Sequence, residues 1–184
     1  MWKSYRQRDG EPVFDVLILE PAPPLTQLPG AAQPLDVTLG DDLRLLGYDL
    51  AHATLAPGDV LQATLYWQTD SPQTHSYKVF VHLVDDSGTL WAQHDAAPRD
   101  WTYPTTRWQP GEIVADRIWL PLPADISPGR YHLFVGMYDQ ETGQRLPIQL
   151  NGQSQPGDTL ELADILVGVT GASNSPRPRT RNRR

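Results

Sequence analysis

In residues 118–139, IWLPLPADISPGRYHLFVGMYD, an apolar run breaks at Ser127-Pro128-Gly129 and restarts as an alternating one. After the break, Tyr131, Leu133, Val135 and Met137 fall on one side of an extended chain, the period-two signature of a half-buried strand. Tyr131 opens that strand directly after a Pro-Gly turn, where its hydroxyl can reach back to the turn's backbone. The same alternation recurs upstream. In VLQATLYWQT (60–69), Leu61, Ala63, Leu65 and Trp67 share a face, and in YKVFVHLVD (77–85) Val79, Val81 and Leu83 do. Asp85-Asp86-Ser87-Gly88 then reads as a hairpin turn into TLWAQHD. Further strands are predicted at 35–39, 43–50, 113–123, 144–150 and 158–167, separated by turns at 57–59, 141–143 and 155–158.

No segment keeps a helical period, so helices are expected to be short or absent. Six Trp and seven Tyr supply large core anchors, while 18 prolines and 14 glycines favour many short strands joined by turns. The strand, Pro-Gly turn and Tyr131 resemble the tyrosine corner of immunoglobulin-like and fibronectin type III-like domains. The predicted class is therefore all-β, an immunoglobulin/fibronectin III-like antiparallel β-sandwich.

A chain of 184 residues is one ordinary domain with irregular ends. Residues 35–170 are assigned to the sandwich. Residues 1–34 comprise a strand-like run, VFDVLIL (13–19), and a linker with five prolines in 21–34. Residues 9–19 echo 157–167, so the N-terminal strand is either the end of a preceding copy of the domain or an ordinary pattern met twice. Residues 171–184 form a basic tail that is expected to be disordered. Its five arginines mask an acidic body: residues 1–171 carry ten basic and 22 acidic groups, a net of −12. Such a body repels phosphates, so no nucleic-acid partner is expected for it.

The absence of cysteine rules out disulfides, thiolate metal sites and thiol nucleophiles. No apolar window approaches the roughly 18 residues of a transmembrane segment, and no signal peptide is recognisable in the chain, which leaves the compartment open. The five histidines have no metal-ligand spacing, and no nucleophile elbow, phosphate loop or dinucleotide fingerprint is present. Neither an enzyme nor a cofactor is predicted. Asp85, Asp86, His94 and Asp95 surround one hairpin and could offer calcium ligands, but without the alternating spacing of a calcium loop they are better read as turn chemistry. Asp116 shares its strand face with Val114, Ile118 and Leu120, so it is an inward carboxylate that needs a partner. Its expected role is structural, in a salt bridge to Arg107 or Arg145, against the alternative of a ligand site.

The candidate binding surface is AAPRDWTYPTTRWQPGE (96–112), an aromatic loop in which Trp101, Tyr103 and Trp108 lie near Asp95, Arg99, Asp100 and Arg107. Flat rings stack on sugars, and adjacent acids and arginines bond to hydroxyls. Trp101, with polar neighbours, is the expected exposed ring; Trp108, just before Pro110-Gly111, is the expected plug. The opposing reading makes the whole loop a structural staple.

The segments LGYDL (46–50), PGDVLQATLYWQ (57–68), YKVFVHLVDDSG (77–88), AQHD (92–95), YPTTRWQPGEIVADRIWLPLP (103–123) and PGRYHLFVGMYDQETGQRLP (128–147) together resemble extracytoplasmic β-sandwich segments attached to bacterial membrane glycosyltransferases of the dolichyl-phosphate-mannose mannosyltransferase type. The resemblance covers roughly residues 35–168. It implies an extracytoplasmic, non-catalytic segment appended to a multi-spanning enzyme. Taken with the loop aromatics, the expected function is an accessory module that binds glycan or polysaccharide, and the alternative is a structural or protein-interaction module docked onto a membrane glycosyltransferase or other surface partner. This chain departs from that context in having no transmembrane span, no transferase portion and a basic tail.

Overall fold

Alternating apolar residues need two faces to bury against, and the chain supplies them as two sheets. The computed structural model describes residues 25–168 and, as strands, Trp2–Arg6 and Pro12–Leu17. Those two strands, β1 and β2, pair antiparallel with each other, Trp2 opposite Leu17. The tail at 171–184 and the start of the proline-rich linker lie outside the described residues.

The strands that follow are β3 (Gln33–Leu39), β4 (Leu43–Leu50), β5 (Thr54–Leu55), β6 (Val60–Thr69), β7 (Tyr77–Asp85) and β8 (Leu90–Ala96). After the aromatic loop come β9 (Val114–Pro121), β10 (Gly129–Asp139), β11 (Ile148–Leu150), β12 (Gln153–Ser154) and β13 (Leu160–Val167). They form a five-stranded sheet, β5-β13-β10-β7-β8, and a six-stranded sheet, β12-β11-β3-β4-β6-β9. All pairings are antiparallel except that of the two-residue β5 with β13. The only helix among the described residues is a 3-10 turn at Thr105–Arg107.

Both inner faces meet in one core. Leu61, Leu65 and Trp67 of β6 and Ile118 and Leu120 of β9 pack with Val79, Val81 and Leu83 of β7 and Tyr131, Leu133, Val135 and Met137 of β10. Fully burying side chains of this size contributes about 1.5–3 kcal/mol each. The protein is an antiparallel β-sandwich, as its alternation requires. Tyr131 is buried, and its hydroxyl donates to the Ser127 carbonyl at 2.7 Å, closing the turn before β10.

Two features differ from the simple alternating picture. The run predicted at 144–150 yields a strand only at its end, because Pro147 has no N–H to donate to a ladder. Phe80 points away from the shared core yet is 0% exposed. It faces Gly136 across the β7–β10 ladder, and its ring occupies the space where a side chain at 136 would stand. The Arg145 guanidinium caps that ring at 4.4 Å and is itself held by Asp158 at 3.1 Å.

Candidate ligand-binding site

The loop between β8 and β9 is built on an unusual backbone. Arg99, Asp100 and Trp101 have φ of 53°, 50° and 70°, three consecutive non-glycine residues in the left-handed region. The Trp101 N–H donates to the Ala97 carbonyl at 2.9 Å and the Tyr103 N–H to the Pro98 carbonyl at 3.1 Å, closing one left-handed turn. Each such residue costs roughly 1–2 kcal/mol, so the surroundings must enforce the conformation.

Asp116 supplies that enforcement. It is 1% exposed, and its Oδ1 accepts the backbone N–H of Arg99 at 2.6 Å. The expected salt bridge to Arg107 or Arg145 is not formed: Arg145 is engaged by Asp158, and a main-chain amide partners Asp116 instead. Burial pushes the Asp116 carboxyl up in pKa, and the Arg99 amide pulls it back. The Trp67 indole also draws it down, although its N–H stops short of hydrogen-bonding geometry and has no partner among the described residues.

The rest of the loop is stapled from below. Thr105, buried in the 3-10 turn, donates from Oγ1 to the His75 carbonyl at 2.8 Å and accepts the Tyr77 N–H at 3.1 Å. Trp108 is 2% exposed, and its indole N–H donates to the Tyr103 carbonyl at 3.1 Å. The Tyr103 hydroxyl donates to Glu112 Oε1 at 2.7 Å; burial first, then that carboxylate, raises its pKa. Arg99 stacks its guanidinium over the Tyr103 ring at 4.9 Å.

Above this base Trp101 is 52% exposed. Lys78 Nζ lies 4.8 Å from its ring centroid and 5.8 Å from that of Tyr138, a cation held between two aromatic faces. Asp95 sits on the same outer face of the sheet, beside Tyr138 and 3.5 Å from His82 Nε2. The five candidate ligand-binding residues thus divide. Trp101 and Asp95 join through Lys78 and Tyr138 on the outer face of β7 and β10, Tyr103 and exposed Arg107 form the rim of the loop, and Trp108 belongs to the core. Lys78 and Tyr138 were not among the sequence candidates, because only strand pairing brings residues 78 and 138 into register.

The hairpin acids serve separate purposes. Asp85 accepts from the Ser87 hydroxyl, Trp91 Nε1 and the Thr89 N–H, which hold its carboxyl well below the usual range. Asp86 contacts His132 Nε2 at 2.8 Å, while Glu161 lies 2.7 Å and Asp164 3.1 Å from its Nδ1. His132, Glu161 and Asp164 are the group among the described residues whose ligand atoms converge as a metal site's would. With carboxylates against both ring nitrogens, the charged form of His132, which donates from both, is favoured, and the hydrogen bonds to Asp86 and then Glu161 raise its pKa.

No protein-family model matches the sequence, and no curated protein matches it. Among solved structures, the chain is similar to the crystal structure of the C-terminal domain of wzt, with a TM-score of 0.50 at 11% sequence identity. The match covers 78% of this chain and 83% of that one. At that identity the likeness is one of fold, and what the two chains share is the β-sandwich.

Proposed function

We propose that the chain is a non-catalytic accessory module that binds glycan or polysaccharide through the Trp101 platform. The observation that carries this reading is an exposed indole, half open to solvent, on a left-handed turn that a buried carboxylate holds in place. A sugar-stacking ring gains most when it is already ordered, because little conformational entropy is then lost on binding. Three nearby carboxylates are engaged within the protein, Asp116 with the Arg99 amide, Glu112 with Tyr103 and Asp95 with His82, while Asp100 beside Trp101 is exposed. What faces a ligand is a flat ring flanked by Lys78 and the exposed Asp100, with Arg107 and Tyr103 at the rim. The sequence resemblance to segments carried by membrane glycosyltransferases is the ground for proposing a non-catalytic role in an extracytoplasmic setting.

A glycan array probed with the whole chain tests this reading. At least one glycan should bind, and Trp101→Ala should abolish that signal without shifting the melting temperature. If no glycan binds, or every signal survives Trp101→Ala, the platform is refuted and docking onto a membrane partner becomes the leading function.

A further inference from the structure

The outer face of the six-stranded sheet carries a second aromatic surface, remote from the loop. Trp119 is 46% exposed on β9, the strand at one edge of that sheet. Trp101 packs on Lys78, in the outward row of β7, so the two indoles lie on opposite faces of the sandwich.

Strand register sets the neighbours of Trp119. Gln62 pairs with it, and the N–H of Ala51, the residue that follows β4, donates to the Gln62 carbonyl, so that Ala51, Gln62 and Trp119 form one row. In the adjacent row Asp49 pairs with Thr64 and Thr64 with Arg117. At the usual strand spacing Asp49 and Arg117 stand roughly 10 Å apart. These six residues line an open groove of about 490 Å³ on the sheet surface.

The polar groups are ordered before any ligand arrives. The Tyr66 hydroxyl donates to Asp49 Oδ2 at 2.6 Å. Burial and then that hydrogen bond push Tyr66 up to about 12, so it stays a donor at any physiological pH. Among the described residues no donor reaches Asp49 Oδ1, and Arg117 has no carboxylate at ion-pair distance. The groove therefore presents one aromatic face, one oriented carboxylate acceptor, one free guanidinium and an amide and a hydroxyl that both donate and accept.

We propose that this groove is a second carbohydrate site that takes a neutral pyranose residue, stacked on Trp119 with its hydroxyls bonded to Asp49, Gln62 and Arg117. The chemistry selects that class. A sugar has an apolar C–H face for the indole and hydroxyls that both donate to Asp49 and accept from Arg117. An anionic ligand meets the Asp49 carboxylate, and a protein partner needs an apolar patch broader than one ring ringed by polar groups. The alanine at position 51 leaves room above the sheet opposite Trp119.

The test is the neutral portion of a glycan array, probed with the full chain and with Trp119→Ala, Asp49→Asn and Trp101→Ala. At least one neutral glycan should bind, with a signal that falls tenfold or more in Trp119→Ala and in Asp49→Asn and persists in Trp101→Ala. Asp49→Asn retains an oxygen for Tyr66, so it keeps the test decisive should Trp119→Ala fold poorly. Absence of any neutral binder, or a neutral signal that survives Trp119→Ala or Asp49→Asn, overturns the proposal. Signals lost only in Trp101→Ala leave the loop platform standing and refute this site alone.

Discussion

Asp116 Oδ1 accepts the backbone N–H of Arg99 at 2.6 Å, tying the inner face of an edge strand to the first left-handed residue of the aromatic loop. This bond matters because three consecutive left-handed residues do not persist on local preference. Removing the acceptor leaves the Arg99 amide without its partner and releases the turn. Asp116→Ala should cost about 2 kcal/mol, the range for a hydrogen bond to a charged group, whereas Asp116→Asn, which keeps an oxygen in place, should cost less. Urea denaturation of the two variants checks the order. Equal losses would show that the carboxylate's charge, and not its acceptor oxygen, holds the loop.

The two loop tryptophans should separate cleanly by stability. Trp101 is solvent-facing and its contact with Lys78 is an exposed cation–π pair, so Trp101→Ala should leave stability within about 0.5 kcal/mol, too little to shift the melting temperature appreciably. Trp108 fills the end of the core and bonds to the Tyr103 carbonyl, so Trp108→Ala should cost about 3 kcal/mol or more. Thermal melts of both variants decide it. A large loss in Trp101→Ala would make the loop a staple instead of a platform.

Period-two alternation made the sandwich legible, because Leu61, Leu65 and Trp67 or Tyr131, Leu133 and Val135 can be buried together only on one face of a strand. Asp116 stood out for the same reason, as a carboxylate in an inward row. Its partner did not, since nothing local in Arg99-Asp100-Trp101 signals a left-handed turn. The burial of Phe80, on the opposite side of its strand from Val79 and Val81, is not legible locally; the glycine that receives its ring lies 56 positions later, and only the β7–β10 register brings them together. The Trp119 groove was hidden likewise, being assembled from three strands whose order in the sheet is not written in any one of them.

Gly136 gives a sharp packing test. A Cβ there would stand 2.3 Å from Phe80 Cζ and 2.8 Å from the Asp158 carbonyl oxygen. Phe80 is buried and capped by Arg145, so neither neighbour yields easily. Gly136→Ala should destabilise by about 1–3 kcal/mol through overpacking. Gly129→Ala, where the nearest heavy atom is 3.9 Å away, is the control and should be nearly neutral. Guanidinium unfolding midpoints measure both, and a neutral Gly136→Ala would mean that the Phe80 ring swings out freely.

Two histidines set opposing pH limbs. His132 is held by Asp86 and Glu161, and its folded pKa lies above its usual value of about 6.5. Its contribution is fully present below that value and is lost as pH rises through the folded pKa, because the unfolded chain releases its proton first. His82 is shifted the other way, by burial first: the Asp95 carboxylate at 3.5 Å opposes the shift, but burial together with Arg145 outweighs it. The fold therefore favours neutral His82. That contribution is present above about pH 6.5 and is lost as pH falls, because the unfolded chain takes up the proton first. Stability between pH 5.5 and 9 should peak near neutrality. His132→Gln should flatten the alkaline limb and His82→Gln the acid limb, as read from denaturant midpoints across the range. A wild-type curve that climbs steadily to pH 9 would reverse the sign assigned to His132 and show that the carboxylates around it do not stabilise its charged form.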